Sequence, residues 1–376
     1  MSDTALEEQA RQAPAKATAD TAPRRRWWHR WPDWSGHLVV VWSFLYGLAG
    51  LYWSLGGDGY PFTRTIEDRS SSSILEPSSA SVVAPVMAAF GALGVVAGML
   101  MVRGRCTGRA RKALLAFGWT AGAALTFLIP DYSLLGLLVF SPVLVVFAFT
   151  GVPGPQEFGD ILYWHRLNLI IIFVGGLLWL ATTLAYQRRT AGDCVRCGRG
   201  ERAAASWTDP AAALRWGRWA VWVAVASTLP YDITRIAWYF GWPLGITDAF
   251  LKEMQDTPHM LEMGLALGVM STLGSLLMHG LVAHWGEVWP RWVWFKHGRP
   301  VHPATAVVPA SVVAVVLVPA GLMAVRDYDA GMWGTLGPAV FWAVWGLALG
   351  VATYGYHLRR RGACGHCGRG RAAGIG

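Results

Sequence analysis

The sequence predicts an all-α, polytopic membrane helix bundle: two parallel repeats of four spans, with one extra re-entrant or membrane-embedded segment. Three observations carry this expectation. Only 15% of the 376 residues are charged, while 54% are apolar or aromatic; a soluble domain carries about 25% charged residues. Apolar runs of roughly 18–25 residues recur along the whole chain, long enough to cross a hydrocarbon core of about 30 Å as helices. The second half of the chain also aligns with the first. This composition excludes a secreted enzyme, a cytosolic enzyme and a disordered regulator.

In order, residues 1–36 form a polar, then basic, N-terminal tail ending in Arg24, Arg25, Arg26 and Arg30. No short apolar core with a small-residue cleavage site appears there, so the first span is expected to be an uncleaved anchor. The expected spans are 37–55, 82–102, 113–130, 167–186, 218–240, 261–283, 304–325 and 337–356. Ser70 to Ser73 and Pro77 mark a flexible outer loop, and residues 1–23 read as disordered. The loop 284–303 carries Trp285, Trp289, Trp292 and Trp294 with Arg291 and Lys296, and reads as an amphipathic stretch on the inner surface.

Basic residues orient these spans. With the N-terminus inside, 26 of the 32 lysines and arginines fall in the cytoplasmic segments 1–36, 103–112, 187–218, 284–303 and 358–376. Arg64, Arg69, Lys252 and Arg326 fall outside, and Arg166 and Arg235 lie at or within spans. The pattern obeys the positive-inside rule. It predicts a multipass plasma-membrane protein with both termini cytoplasmic. It also accounts for the net charge of +9 without nucleic acid as a partner. The charge-free run 134–150 breaks parity if it spans. It is therefore expected to be re-entrant or embedded in the outer leaflet.

The duplication rests on two offsets. At 185 residues, Arg30 meets Arg215, Trp31 meets Trp216, Trp34 meets Trp219, Val40 meets Val225, Tyr46 meets Tyr231, Trp53 meets Trp238 and Gly56 meets Gly241. At 170 residues, Gly176 meets Gly346, Thr183 meets Thr353, Tyr186 meets Tyr356, Arg189 meets Arg359, and Cys194 and Cys197 meet Cys364 and Cys367. The 15-residue change of offset matches the size of the insertion 134–150. The domains are then 37–200 with a Cys-x-x-Cys tail, a cytoplasmic linker 201–217, and 218–376 with a second such tail. Both halves begin and end inside, as in some transporters built from parallel repeats. Gly94 with Gly98, and Gly264 with Gly268, have the spacing that lets helix backbones approach closely.

Two constellations carry chemistry. Cys194-Val-Arg-Cys197-Gly and Cys364-Gly-His-Cys367-Gly each resemble one knuckle of a zinc ribbon. Two knuckles supply the four thiolates of a closed structural zinc site. Redox-active dithiols and plain free thiols are the alternatives. The second constellation is Tyr231, Asp232 and Arg235 inside the span 218–240. Ionised groups at mid-membrane cost about 3 kcal/mol each on insertion scales. Asp232 and Arg235, at i and i+3, are expected to face the bundle interior and pair. Pro230 can kink the helix beside them. Their counterparts in the first half are Gly47 and Gly50. Asp131, His165, Arg166, His259, Glu262 and Asp327 sit at expected outer ends, where they could line a common cavity with Asp232 and Arg235. His279 and the other histidines do not provide two haem ligands at matched depth. Phosphate-binding glycine loops, zinc-protease helices and nucleophile elbows are absent from the sequence.

The functional expectation is a non-enzymatic protein that binds or transports a small molecule through an outward-facing cavity, with Tyr231, Asp232, Arg235, Asp131, His165 and Glu262 as candidate ligand residues. A membrane enzyme using the same polar cluster is the first alternative. A scaffold whose zinc-binding tails dock a cytosolic partner is the second. The stretches Leu51-Tyr-Trp-Ser-Leu-Gly-Gly57 and Ala237-Trp-Tyr-Phe-Gly-Trp-Pro-Leu-Gly-Ile246 resemble segments of uncharacterised actinobacterial multipass membrane proteins. Four lysines against 28 arginines, with Asn168 the sole asparagine, fit such a GC-rich source. The resemblance implies an integral membrane protein and transfers no catalytic residue.

Overall fold

Lengths of apolar sequence become helices wherever the chain must satisfy its own backbone, and the structure follows this rule closely. It is a computed structural model, and it describes residues 30–62, 73–76, 78–150, 162–201, 205–291 and 293–370, with 142–150 as backbone only. The N-terminal tail up to residue 29 and the outer loop around Ser70 and Pro77 lie outside the described residues. The long helices are α1 (Trp31–Ser54), α2 (Ala80–Arg103), α3 (Gly108–Ala123, continued by a π-helical turn Ala124–Leu128), α4 (Ser133–Thr150) and α5 (Trp164–Thr190). The second half has α6 (Pro210–Tyr239), a short outer helix α7 (Asp248–Asp256), α8 (Met260–Met278), α9 (Pro303–Arg326), the single turn α10 (Trp333–Leu336) and α11 (Phe341–Arg360). Among the described residues there is no strand, only an isolated bridge between Val288 and Pro300.

Six helices are long and apolar enough to cross a membrane: α1, α2, α5, α8, α9 and α11 with its preceding turn. A seventh candidate is α3 joined to the start of α4 across a 65° bend. Helix α6 is 30 residues long but is not among them, because Asp232, Arg235 and Pro230 lower its apolar character. The expected eight spans therefore correspond to eight long helices, of which six or seven meet the membrane criterion outright.

Contacts fix which ends lie together. Arg111 donates to the Thr190 hydroxyl at 2.7 Å, and Arg189 to the Val102 carbonyl at 3.4 Å. The end of α2, the start of α3 and the end of α5 thus share one end of the bundle. At the other end, Ser73 donates to the Ile129 carbonyl at 2.8 Å, and the Trp164 indole to the Gly59 carbonyl at 2.7 Å. Residues 129 and 164, which flank α4, therefore both sit beside the loop that joins α1 to α2.

Packing within the first half runs through glycine. A Cβ on Gly91 would lie 2.3 Å from the Gly47 Cα, and one on Gly50 would lie 2.6 Å from the Ala88 nitrogen. The α1 and α2 backbones touch, the geometry small residues permit. Trp179, wholly buried on α5, packs edge-on to Phe117 of α3 at 5.3 Å. Tyr46 of α1 donates to Asn168 of α5 at 3.2 Å. In the second half α11 packs against both α6 and α9, and a Cβ on Gly321 would meet the Ala343 nitrogen at 2.1 Å. Tyr231 of α6 lies against Trp342 of α11 at 5.3 Å. The halves meet where α9 packs on the π-helical end of α3 and on α4.

The α6–α8 seam differs. A Cβ on Gly264 would meet nothing nearer than 3.8 Å, and one on Gly268 nothing nearer than 3.4 Å. The loop expected to lie flat on the inner surface is instead folded into a lid. Glu287 pairs with Arg359 at 2.6 Å, and Tyr356 donates to the Gly286 carbonyl at 2.7 Å. Beneath this lid lies an apolar cavity of about 380 Å³ lined by Trp285, Trp289 and Trp345 among others.

The two glycine seams make a comparison testable. Gly91→Ala should destabilise by about 1–3 kcal/mol, because the intruding methyl meets backbone. Gly264→Ala should be neutral or mildly stabilising. Both variants gain helix propensity, so the difference isolates the seam. Thermal unfolding of the detergent-solubilised protein measures it; equal shifts would mean α1 and α2 are not in backbone contact.

Candidate metal centre and polar seam

Each cysteine tail follows a long helix directly, α5 for the first and α11 for the second. In both, the first cysteine's N–H reaches the carbonyl five residues on, Cys194 to Arg199 at 3.0 Å and Cys364 to Arg369 at 2.9 Å. The glycine after the second cysteine donates back, Gly198 to the Cys194 carbonyl at 2.7 Å and Gly368 to the Cys364 carbonyl at 2.8 Å. Gly198 and Gly368 both have φ of 71°, which a side chain would strain. These turns aim both thiols of each tail the same way.

The tails then face each other. The Cys194 Sγ lies 3.9 Å from that of Cys364, and the Cys197 Sγ 3.6 Å from that of Cys367. All four sulfurs lie within 4.8 Å of one another and could hold a metal ion. A tetrahedron with metal–sulfur arms of 2.3 Å has edges of about 3.8 Å, so the spacing suits four-coordinate metal. It is far longer than a disulfide bond. The frame is reciprocal: Arg199 donates to the Arg369 carbonyl at 2.8 Å, and Arg369 to the Arg199 carbonyl at 3.0 Å. Arg188 holds the Val195 and Arg196 carbonyls at 3.0 and 3.1 Å. These guanidiniums offset the charge of neighbouring thiolates.

The thiols ionise unequally. Burial works against the Cys364 thiolate, but the N–H groups of Cys367 and His366 and two neighbouring thiols outweigh it and bring Cys364 down to about 6. Cys194 is lowered in the same way, burial opposing and the Cys197 and Arg196 N–H groups prevailing. Burial first, and then the adjoining sulfurs, push Cys197 up to about 12. The first cysteine of each tail is thus favoured as thiolate while Cys197 keeps its proton, since like charges so close repel.

The intramembrane charges are arranged differently from expectation. Asp232 and Arg235 do not pair. The Arg235 guanidinium lies over the Tyr231 ring at 4.4 Å and the Trp238 ring at 4.2 Å. It donates to the Gly334 carbonyl at 3.2 Å and the Thr335 carbonyl at 3.3 Å. Aromatic faces and two carbonyls thus bind it to α10, and it turns away from the carboxylate one turn below. Asp232, 5% exposed, accepts from the Thr272 hydroxyl of α8 at 3.0 Å. Its other oxygen, Oδ1, is buried without a hydrogen-bond partner, as is the Ser271 Oγ. Thr228, one turn before Asp232, meets Ser275 at 2.9 Å. Carboxylate and hydroxyls alternate across the loose α6–α8 seam.

Among the described residues no hydrogen bond or ion pair joins the other candidates to Asp232, but Asp131, His165 and Arg166 come together around Tyr163, whose ring stacks on His165 and lies 4.8 Å from the Arg166 guanidinium. Buried Asp131 accepts from the Ser133 N–H at 2.9 Å and from its hydroxyl. His165 Nδ1 is bonded to the Pro61 carbonyl, and its ring lies edge-on to Phe62. Both belong to the first half. Glu262 and His259 are exposed at the start of α8. The cavity under the tryptophan lid is lined by none of them. Sequence reading missed the hydroxyls Thr228, Ser271, Thr272 and Ser275. Their signal was present as i, i+4 spacing on adjacent spans, but serine and threonine are also ordinary in such helices. The chain matches no family model, and comparison with curated proteins and with solved structures finds no match.

The facing tails require that both end on one side of the membrane. Variants retaining only Cys194, or only Cys364, should react with a membrane-impermeant maleimide from the same side of oriented vesicles. Labelling from opposite sides would break the cluster.

Proposed function

We propose that the chain is a plasma-membrane protein, both termini cytoplasmic, whose duplicated halves are clipped by one structural zinc, and that it binds or transports a small solute through the polar seam between α6 and α8. The observation that carries the solute reading is the Asp232 Oδ1, buried and unpartnered in a loosely packed seam. Under the 185-residue alignment the corresponding position is Gly47, where α1 and α2 close backbone on backbone. A scaffold that only needed to pack would keep the glycine. Replacing it by a carboxylate costs several kcal/mol in hydrocarbon and opens the seam, so the second half carries a task that the first does not.

Parity supports eight crossings. With both tails on one face, an even number of crossings separates Cys197 from Cys364. Helices α8, α9 and α11 provide three, so α6 is read as the fourth despite its charges. In the first half, residues 129 and 164 sit at the same end, so α4 is read as making no net crossing. The basic segments then fall on one face, read as cytoplasmic by the positive-inside rule.

Zinc is favoured over a redox pair because four sulfurs approach tetrahedral spacing on a reciprocal backbone frame. The group would supply no chemistry beyond coordination; the arginines and glycine turns of this chain hold the ligands in place. An enzyme reading has less support: His165 Nδ1 is tied to a backbone carbonyl and Glu262 is exposed. Purified protein should contain about one zinc per chain. Cys364→Ser should lose it and lower the unfolding midpoint; a zinc content unchanged by that substitution rejects the clip.

Water access tests the seam. Thr272→Cys, in a Cys106→Ser background, should react with a membrane-impermeant methanethiosulfonate, and Leu273→Cys, exposed on the adjoining apolar face of α8, should not. If Thr272→Cys is as inert as Leu273→Cys, the seam is lipid-sealed and the solute reading falls.

A further inference from the structure

Hydrocarbon leaves an ionised carboxylate three options: an internal cation, a bound proton or a bound ion. The arginine one turn away from Asp232 does not serve. Its guanidinium is committed to the Tyr231 and Trp238 rings and to the Gly334 and Thr335 carbonyls. Among the described residues no lysine, arginine or histidine forms an ion pair with Asp232. The counter-charge must therefore come from outside the chain.

The surrounding atoms point to its kind. Asp232 and Thr228 lie at i, i+4 on α6. Across the seam, Ser271 and Ser275 lie at i, i+4 on α8, with Thr272 between them. Thr272 already donates to Asp232 Oδ2 at 3.0 Å, and Thr228 meets Ser275 at 2.9 Å. The Thr228 hydroxyl also lies 2.9 Å from the Val225 carbonyl; donating there leaves its lone pairs facing the seam. Two buried polar atoms on opposite helices, Asp232 Oδ1 and Ser271 Oγ, have no partner in full hydrogen-bonding geometry, although the Ser271 and Thr228 hydroxyls lie close to the carboxylate. Unsatisfied buried atoms of this sort mark a place for water or an ion. A proton on Oδ1 would give the Ser271 hydroxyl a donor but would draw in neither Thr228 nor Ser275, whose oxygens face the same seam. An all-oxygen set with no sulfur or imidazole suits a hard cation. A single carboxylate neutralises one charge, whereas calcium sites use several carboxylates and six to eight oxygens.

We propose that the α6–α8 seam is a monovalent-cation site of sodium size, formed by Asp232 with the hydroxyls of Thr228, Ser271, Thr272 and Ser275. Loose packing is part of the design. Gly264 and Gly268 sit beside Arg235 and Asp232, where a Cβ would make ordinary contacts at 3.8 and 3.4 Å, so without side chains of their own they leave α8 space to tighten onto the ion. Arg235, one turn nearer the end of α6, closes the seam toward α10. The proposal deepens the solute reading by naming an ion for the same seam: a cation bound here would couple to any solute that shares it.

The experiment is thermal unfolding of the full-length zinc-containing protein in detergent, titrated with sodium chloride against choline chloride at matched ionic strength. Sodium at about 100 mM should raise the midpoint by about 3 °C or more over choline, as binding to the native state alone requires. Asp232→Asn should abolish the difference. Thr272→Val and Ser271→Ala should move the sodium half-saturation at least about tenfold higher; they keep the test open if the aspartate variant fails to fold. Identical sodium and choline curves for the wild type overturn the site. So does a sodium shift that survives in Asp232→Asn, which would mark an adventitious ion elsewhere. The outcome separates from the solute reading. A labelled Thr272→Cys with no sodium response leaves the seam and removes the ion, while a sodium response with an inert Thr272→Cys leaves the ion and removes the solute.

Discussion

Within hydrocarbon a polar group must find its partner inside the protein, and this constraint orders the whole molecule. Backbone amides satisfy it by helix formation, which is why the described apolar runs are helical. Arginine satisfies it by keeping to the ends: most of the described basic residues sit in the outer turns of helices or in the segments between them. Where a cation does enter, as at Arg235, two aromatic faces and two carbonyls surround it. Several buried atoms depart from the constraint, among them the Ser43 and Thr126 hydroxyls and the Trp179 ring nitrogen, but Asp232 is the carboxylate among those on the long helices.

The same logic separates the two halves. The 185-residue alignment pairs Gly47 with Asp232 and Ser43 with Thr228. At Gly47 the helices close until backbone meets backbone; at Asp232 they stand far enough apart that a Cβ on Gly264 would make only an ordinary contact, 3.8 Å from the Arg235 side chain. Dispersion gained by close helix packing is given up along one seam and kept along the other. The duplication read from the sequence would offer this freedom, since one copy can hold the structure while the other departs from it. The lid over the tryptophan cavity is a second departure. It is fixed by Glu287 and Arg359, and the first half has only a tight turn, 104–107, between the matching helices.

Much of this was legible beforehand, and the misses have physical causes. Apolar length located the long helices, most bounds to within about five residues, because backbone satisfaction leaves little choice; α1 and α6 begin earlier, at Trp31 and Pro210, in polar and basic turns that apolar length does not register. The four cysteines were legible as a set because the 170-residue offset carries both tails together. The Asp232–Arg235 pair was misjudged: i, i+3 spacing permits an ion pair, but it says nothing of the rings and the α10 carbonyls that compete for the guanidinium. The common outer cavity was an inference from depth alone. Depth does not place Asp131 and His165, whose bonds are to Ser133 and Pro61, in the neighbourhood of Asp232. The offset change was also misplaced. Gly94 and Gly98 already stand 170 residues before Gly264 and Gly268, so the 15 extra residues fall in the outer connection before α2, not at 134–150.

The clip and the seam are best understood together. Helical contact between the halves is confined largely to α9 with α3 and α4, and lipid offers no hydrophobic force to press them closer. Coordination or reciprocal hydrogen bonding at the cysteine tails fixes the ends of α5 and α11 instead. Helix α11 packs along α6 and α9, so holding its end holds α6 as well. Helix α8 is not held in this way. It is the least buried of the six helices that meet the membrane criterion, at 11% against 33–50% for the others, and its firm contacts are with α6. On the proposed reading, a fixed α6 carrying the carboxylate and a loosely held α8 carrying the hydroxyls would let one seam open and close while the rest of the bundle stays in place. Without an anchored α6, both walls would move together, and the occupant of the seam would change nothing in the spacing between them.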